Sequence, residues 1–397
     1  MPKDHSEPSS PLLVEVLRSV AAFRALEAEW RILEQHSDYP FSSFDWAISW
    51  WQQLREDKLG VKDALSLRTL RTKQGQLVAV APMLVSRRPS VGPLCVRQLQ
   101  FFGADPNITE LRGLVALPEW RGEAYRALVQ HALDHTDDWD SMLLNGITPD
   151  VELGALATSP DFNWLYQLTD HELQLPGSWE AFRGGLSRNI KESLRKCYNS
   201  LKRDKLAFRL DVAETPAQLA PALERFFELH AARAGLAGAV HHWDVFRAPE
   251  ARSFLMDVCR RFAERGCLRI FQLVIDDKVV AVRVGFVAGG CLYLYYSGYD
   301  PAFANYSVMT TCVAEAIRYA IEHGFSRVNL STGSDVSKTR WNPTARVSRA
   351  ATLSSPSMRS KLTHRVYLRA LNAIGTSSTL RRATTFLARR SIPPAAI

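Results

Sequence analysis

The chain lacks the signatures of the commonest enzyme classes. No two of its 21 glycines are separated by a single residue, so there is no G-x-G-x-x-G turn for a dinucleotide. Also absent are G-x-x-x-x-G-K-[ST], G-x-S-x-G and H-E-x-x-H, which sets aside P-loop kinases, Rossmann oxidoreductases, α/β-hydrolases and zincins. Six cysteines, Cys95, Cys197, Cys259, Cys267, Cys291 and Cys312, stand without C-x-x-C spacing. Reduced, mostly buried thiols are expected, with no disulfide framework and no zinc. His241-His242 with Asp244 has no third ligand at conventional spacing, so no metal is expected there. No apolar run approaches a membrane span, and the N-terminus lacks the basic start and long apolar stretch of a signal peptide. A cytoplasmic protein is expected.

Acidic residues are missing altogether after Ser355, where Arg359, Lys361, Arg365, Arg369, Arg381, Arg382, Arg389 and Arg390 lie. These eight cations equal the formal net charge of +8, leaving the body near neutral. Such a tail is either a solvated extension or a contact for an anionic membrane surface, nucleic acid or an acidic partner, which makes peripheral membrane association an open alternative.

What the sequence does hold is a core. With 397 residues, 46% hydrophobic content and ten tryptophans, two domains are the default. Residues 20–36 read as an amphipathic helix. In 41–54, FSSFDWAISWWQQL, the residues Phe44, Ala47, Ile48 and Trp51 form one helical stripe behind a cap at Ser42 or Ser43. Strands follow at 65–72, 76–85 and 97–102, then a helix at 124–135 and a strand at 141–145.

The most regular stretch is 268–341. Leu268–Ile275 and Val279–Val287 are β-branched and aromatic runs joined at Asp276-Asp277, and Gly289-Gly290 turns into a third run, Cys291–Ser297. From Ser307 to His323 apolar residues recur at helical spacing until Gly324, and Arg327–Leu330 reads as a fourth strand. The same order occurs earlier. Residues 67–84 parallel 268–286, and 127–146 parallel 314–333, which is either an internal duplication or a chance agreement of common βα patterns. Between the two, Ser178 caps a short helix, and Ser187 opens a basic helix whose Arg188, Lys191 and Arg195 project from one side, as a solvated face or a polyanion contact.

On Ser187-Arg188-Asn189, the 268–281 hairpin, LYYSGYDPAF at 294–303, His323-Gly324-Phe325 and GSDVSKTRW at 333–341, together with FDWAISWW near the start, the chain resembles the GNAT acyltransferase superfamily. Within it, the likeness is to BioF2-like or CelD-like acetyltransferases, which are similar to the FemAB tandem-GNAT proteins. The resemblance implies an α+β chain of two tandem GNAT-like domains, each a mixed, mostly antiparallel sheet flanked by helices. The expected bounds are 12–165, then 166–355 for the GNAT domain proper, then a basic helical or disordered tail over 356–397.

The resemblance further implies transfer of an acyl group from acetyl-CoA or another acyl-CoA to an amine by direct attack, with no metal. The third strand would splay from the fourth near Ser297 and Gly298, opening backbone groups to pantetheine. The helix start at Asn305, Tyr306, Ser307, Val308 and Met309 would take the pyrophosphate. Where the family commonly shows Ser-Pro-Gly, this chain has Tyr306-Ser307-Val308; Ser307 is expected to cap the helix, with Arg188 and Lys191 adding positive charge. Asp300 is either a general base or the start of the turn at Pro301, and Asp335 either a base or a cap near Ser337. Tyr299 is the candidate acid for the leaving thiolate. Lys338 would hold an acidic group or phosphate, and Trp341 either stacks a sugar or pantetheine or belongs to the core. The acceptor implied by the CelD likeness is an amine of a cell-envelope or exopolysaccharide precursor. The alternatives are aminoacyl transfer from tRNA in the FemAB manner and a non-catalytic scaffold of polysaccharide synthesis. The first domain, lacking a counterpart of GSDVSKTRW, is expected to shape the acceptor cleft.

Overall fold

The computed structural model describes residues 11–58, 60–88, 95–105, 107–236, 243–363 and 369. His241-His242 and, within the basic tail, residues 364–368 and 370–397 lie outside the described residues. The chain divides into two units, one of residues 1–37, 41–167 and 348–397, the other of 38–40 and 168–347.

The first unit opens with β1 (Leu12–Leu17), α1 (Val20–Ala25), α2 (Glu27–Glu34) and α3 (Phe44–Gln53). The single helix expected over 20–36 is thus two, broken at Leu26. Helix α3 is capped by the Ser43 hydroxyl, which accepts from Trp46 N at 3.1 Å. It is buried on every side from Phe44 to Trp51, a wider burial than the expected stripe. Polar groups inside find partners: Trp50 Nε1 donates to Asp105 at 2.8 Å, Trp46 Nε1 to Thr109 at 3.1 Å, and Arg31 grips both Asp45 oxygens at 3.1 Å.

Strands β2 (Asp57–Lys58), β3 (Val61–Leu65), β4 (Leu67–Thr72), β5 (Leu77–Ala81), β6 (Met83–Arg88), β7 (Val96–Phe101) and β8 (Val115–Ala116) follow, then α4 (Arg121–Asp134) and β9 (Ser141–Ile147). One sheet has the order β1-β4-β5-β8, and a second runs β9-β7-β6-β3-β2. All these pairings are antiparallel except β7 with β9, which α4 connects as a crossover; that parallel contact covers only Gln98–Gln100 against Ser141–Leu143.

The second unit holds the 168–174 part of β10 (Phe162–Gln174), then α5 (Trp179–Gly185), α6 (Arg188–Arg203), β11 (Phe208–Ala213), α7 (Pro216–Ala234) and α8 (Pro249–Glu264). It continues with β12 (Leu268–Ile275), β13 (Lys278–Ala288), β14 (Cys291–Tyr299), α9 (Val308–Glu322), β15 (Arg327–Thr332), α10 (Val336–Thr339) and the start of β16 (Thr344–Ser354). Its sheet order is β11-β12-β13-β14-β15-β10. The β12–β13 turn places Asp276 and Asp277 at φ 45° and 62°, the left-handed pair that a two-residue hairpin needs. Helices α6 and α9 cover one face, packing Ile190, Leu194 and Leu201 with Cys312, Ala316 and Ile317 over Leu292, Leu294, Val328 and Leu330.

Both units therefore repeat a hairpin, a crossover helix and a short parallel strand pair. Residues 348–354 of β16, expected with the second domain, belong to the first unit's sheet, where they pair with β9. The reason is register: Ala351 and Leu353 join the core formed by Met142 and Leu144. All six cysteines are free; Cys197, Cys259, Cys291 and Cys312 are buried, and Cys95 and Cys267 are half-buried. Among the described residues no helix is long and apolar enough to cross a membrane.

Candidate active site

The second unit carries a wedge between two strands. Parallel pairing of β14 with β15 covers only Cys291–Tyr293 against Arg327–Asn329; beyond it the partners of β14 are on β13 alone. At the same level β14 is bulged: Arg283 faces Ser297 and Gly285 faces Leu294, so β14 carries one residue more than β13. A bulge bends its strand and re-aims the neighbouring backbone. The two strands thus diverge from Leu294 and Leu330 onward, as expected for a site that offers main-chain groups to an extended ligand.

Several devices hold this wedge. Helix α7 lies against the outer part of β14, where a β-carbon at Gly298 would sit 2.3 Å from His230 N. Gly298 is therefore demanded by helix contact; the strand departure for which it was singled out is made by the bulge at Tyr295 and Tyr296. His230 Nδ1 donates to Ser297 O at 2.9 Å, and Arg233 Nη1 donates to the Ser297 hydroxyl at 3.0 Å. Burial lowers the pKa of His230, which keeps its imidazole neutral. Burial also lowers that of Arg233, opposed by the weaker fields of Tyr299 and Asp335.

On the other strand, Ser331 is buried with φ 75°, a left-handed conformation costly for serine. Its N–H donates to Asn329 Oδ1 at 2.7 Å, Asn329 Nδ2 donates to Asp170 at 2.6 Å, and Tyr39 O–H reaches both Asp170 oxygens at 3.2 Å. Burial raises the pKa of Asp170, opposed by these hydrogen bonds. His230, Arg233, Asn329, Asp170 and Tyr39 escaped sequence reading because their partners lie far away along the chain, and Ser331 because its left-handed backbone has no sequence mark.

The named candidates fall as follows. Tyr299 ends β14, half-buried, opposite Ala281. Asp300 makes the turn: it accepts from Ala302 N at 3.0 Å and pairs with Lys278 at 2.7 Å, which lowers its pKa. Asp335 caps α10, accepting from Ser337 N at 3.1 Å, and lies 3.4 Å from Lys338 Nζ; partial burial raises its pKa, and the Ser337 and Lys338 contacts outweigh that to lower it. Lys338 also donates to Thr332 O at the end of β15, so its ammonium stands at the mouth of the wedge. Trp341 is 2% exposed, with Nε1 on Ser337 O at 3.0 Å. Its ligand-stacking role gives way to the core alternative, since the indole is buried against Phe182.

The turn before α9 differs most from expectation. Ser307 occupies the N-cap but with φ 52° and ψ 42°, and its hydroxyl makes no cap hydrogen bond. An ordinary N-cap is extended, which aims the side chain at the first turn; in the left-handed form Ser307 serves α9 through its carbonyl, accepting from Thr310 N at 2.8 Å. The neighbouring side chains point elsewhere. Val308 is buried in the core, and Tyr306 O–H donates to Asp204 at 3.0 Å, leaving Ser307 exposed, as are Asn305 before it and, in part, Met309 after it. Of the two cations expected to add charge here, Arg188 pairs with Glu192 at 2.8 Å and Lys191 donates to Gly184 O at 2.8 Å.

Residues 188–339 match the family described as acetyltransferase (GNAT) domain. No functionally curated protein matches the chain. Among solved structures, FemX superposes with a TM-score of 0.53 at 11% identity, over 84% of this chain and 96% of its own. A conserved protein of unknown function from Bacteroides thetaiotaomicron gives 0.49 at 11%, over 86% and 100%. A tandem GNAT protein from the clavulanic acid biosynthesis pathway gives 0.44 at 10%, over 87% and 100%. At such identities the likeness to FemX is one of fold. The chain has an α+β fold of two units, each a mostly antiparallel sheet flanked by helices, and residues 188–339 of the second unit are those that match the acetyltransferase (GNAT) domain family.

Proposed function

We propose that the second unit transfers an acyl group from an acyl-CoA, acetyl-CoA being the simplest donor, to a primary amine. The observation that carries this is the wedge itself: two parallel strands that separate after three residue pairs, with a helix N-terminus immediately downstream. The residues present fit such a donor. Diverging main chain along Leu294–Tyr299 pairs with an amide-bearing arm and polarises a thioester carbonyl. The exposed left-handed turn at Ser307, with the Tyr306 and Val308 side chains turned away, opens the α9 amides to a pyrophosphate.

In this reading the amine nitrogen forms the new bond to the thioester carbonyl carbon as the carbon–sulfur bond breaks. A carboxylate takes the amine proton, and Tyr299 O–H protonates the departing thiolate. Asp300 and Asp335 are each paired with a lysine, Lys278 at 2.7 Å and Lys338 at 3.4 Å, and Asp335, whose lysine contact is the longer of the two, is taken as the base. The acceptor and the BioF2-like or CelD-like branch rest on the sequence resemblance, which favours an amine of an envelope or exopolysaccharide precursor.

The test is amine-dependent release of CoA thiol from acetyl-CoA, with Asp335→Asn and Tyr299→Phe lowering kcat. If no acyl-CoA shifts the melting temperature and none is consumed, the proposal fails. Activity that is instead abolished by ribonuclease would assign the donor to tRNA, and a cellular phenotype indifferent to Asp335→Asn would assign the chain a scaffold role.

A further inference from the structure

A second concave site lies in the same unit, formed by α5, α6, β11 and α9, and it shares no residue with the wedge. Its cavity is about 600 Å³, within the range of small-molecule sites. Four arginines line it, Arg183, Arg195, Arg209 and Arg318, against one carboxylate, Glu315. They are not equivalent. Arg209 pairs with Asp211 and Asp277, and Arg318 with Glu322. Glu315 accepts from Tyr198 O–H at 2.5 Å. Arg183 and Arg195 make no ion pair with any described residue, so two guanidinium forks face one cavity unneutralised.

The walls add flat apolar surface in a fixed orientation. Trp179 stacks on Phe182 at 5.6 Å and 22°, and Phe182 on Trp341 at 6.5 Å and 26°. A row of rings thus runs from the core to the cavity, rooted on the tryptophan of the GSDVSKTRW motif. Asn199 supplies an amide that both donates and accepts. Paired forks select phosphate oxygens, a rigid indole selects a planar ring, and an amide reads a ring edge.

We infer that this pocket binds a nucleoside phosphate, distinct from any donor in the wedge, with its phosphates on Arg183 and Arg195 and its base against Trp179. The experiment is calorimetric titration of the full-length chain with ADP and, separately, with pyrophosphate. ADP is expected to bind at one site per chain. Arg183→Gln and Arg195→Gln should each weaken it about tenfold or more, the usual effect of losing a charged hydrogen bond. Trp179→Leu should weaken ADP about fivefold or more while leaving pyrophosphate unchanged. Ser307→Asp, which places a negative charge at the start of α9, should leave ADP binding intact. The inference is overturned if ADP gives no binding, if the two arginine variants bind it like wild type, if Trp179→Leu weakens pyrophosphate as much as ADP, or if Ser307→Asp abolishes the ADP signal.

Discussion

A β-carbon added at Gly298 would stand 2.3 Å from the backbone nitrogen of His230, and 2.5 Å from the carbonyl carbon of Leu229. Neither atom belongs to a side chain able to swing away, so helix α7 rests directly on the main chain of β14. That contact carries His230 to the Ser297 carbonyl and Arg233 to the Ser297 hydroxyl. Gly298→Ala must push the helix outward. It should cost about 1–3 kcal/mol, the range for overpacking, and should lower kcat by displacing His230 and Arg233 from Ser297. Urea unfolding checks the first part; a midpoint equal to wild type would mean that α7 yields freely.

Trp341 divides a structural from a ligand-binding role. As a buried core residue stacked on Phe182, its truncation to alanine should cost about 3–5 kcal/mol. Trp341→Phe keeps a ring in the row and should leave the KM of both acyl donor and amine unchanged. A selective rise in either KM, with thermal stability preserved, would return the indole to the substrate site.

The elements legible in the sequence are those whose partners are local. Strands β12, β13 and β14 announced themselves through β-branched runs and the Asp276-Asp277 turn, and α9 through apolar spacing that stops at Gly324. Helix α7 was not read, although its start carries a capping box between Thr215 and Gln218 with Pro216 in the first turn. Those signals precede an interior Pro221, which ordinarily argues against a helix. The end of β16 was misplaced because its partner, β9, lies some two hundred residues earlier, and no local pattern encodes such a pairing. The wedge was legible through resemblance alone; its supports were not, since Arg233 and Ser297 meet only when α7 packs on the sheet.

Ser307 tests the turn before α9. A serine held at φ 52° stores roughly 1 kcal/mol of backbone strain that glycine would not. Ser307→Gly should therefore raise the unfolding free energy by up to about 1 kcal/mol and, by removing a side chain from the approach to the α9 amides, lower the KM for acyl-CoA. Ser307→Val, with a branched carbon in the same conformation, should do the reverse on both counts. If the two variants shift stability as expected but leave the KM for acyl-CoA untouched, the pyrophosphate does not lie at this turn.

In the first unit, His131 makes a pH dependence that can be read separately. Burial, then the field of His135 stacked at 4.3 Å, then that of Arg68, push its pKa down to about 4 from 6.5. The folded state thus favours neutral imidazole more than the unfolded chain does. Its contribution is complete above about pH 6.5; as pH falls below that, the unfolded chain takes up a proton that the folded one refuses, and stability declines until about pH 4, where the folded state also protonates. Acid titration of carboxylates and of His230 overlaps this window, so the quantity to measure is the difference between wild type and His131→Gln. Unfolding free energies across pH 4 to 7 should show a shallower fall in the variant over that interval, with parallel curves above pH 6.5. Parallel curves throughout would mean that His131 titrates alike in both states.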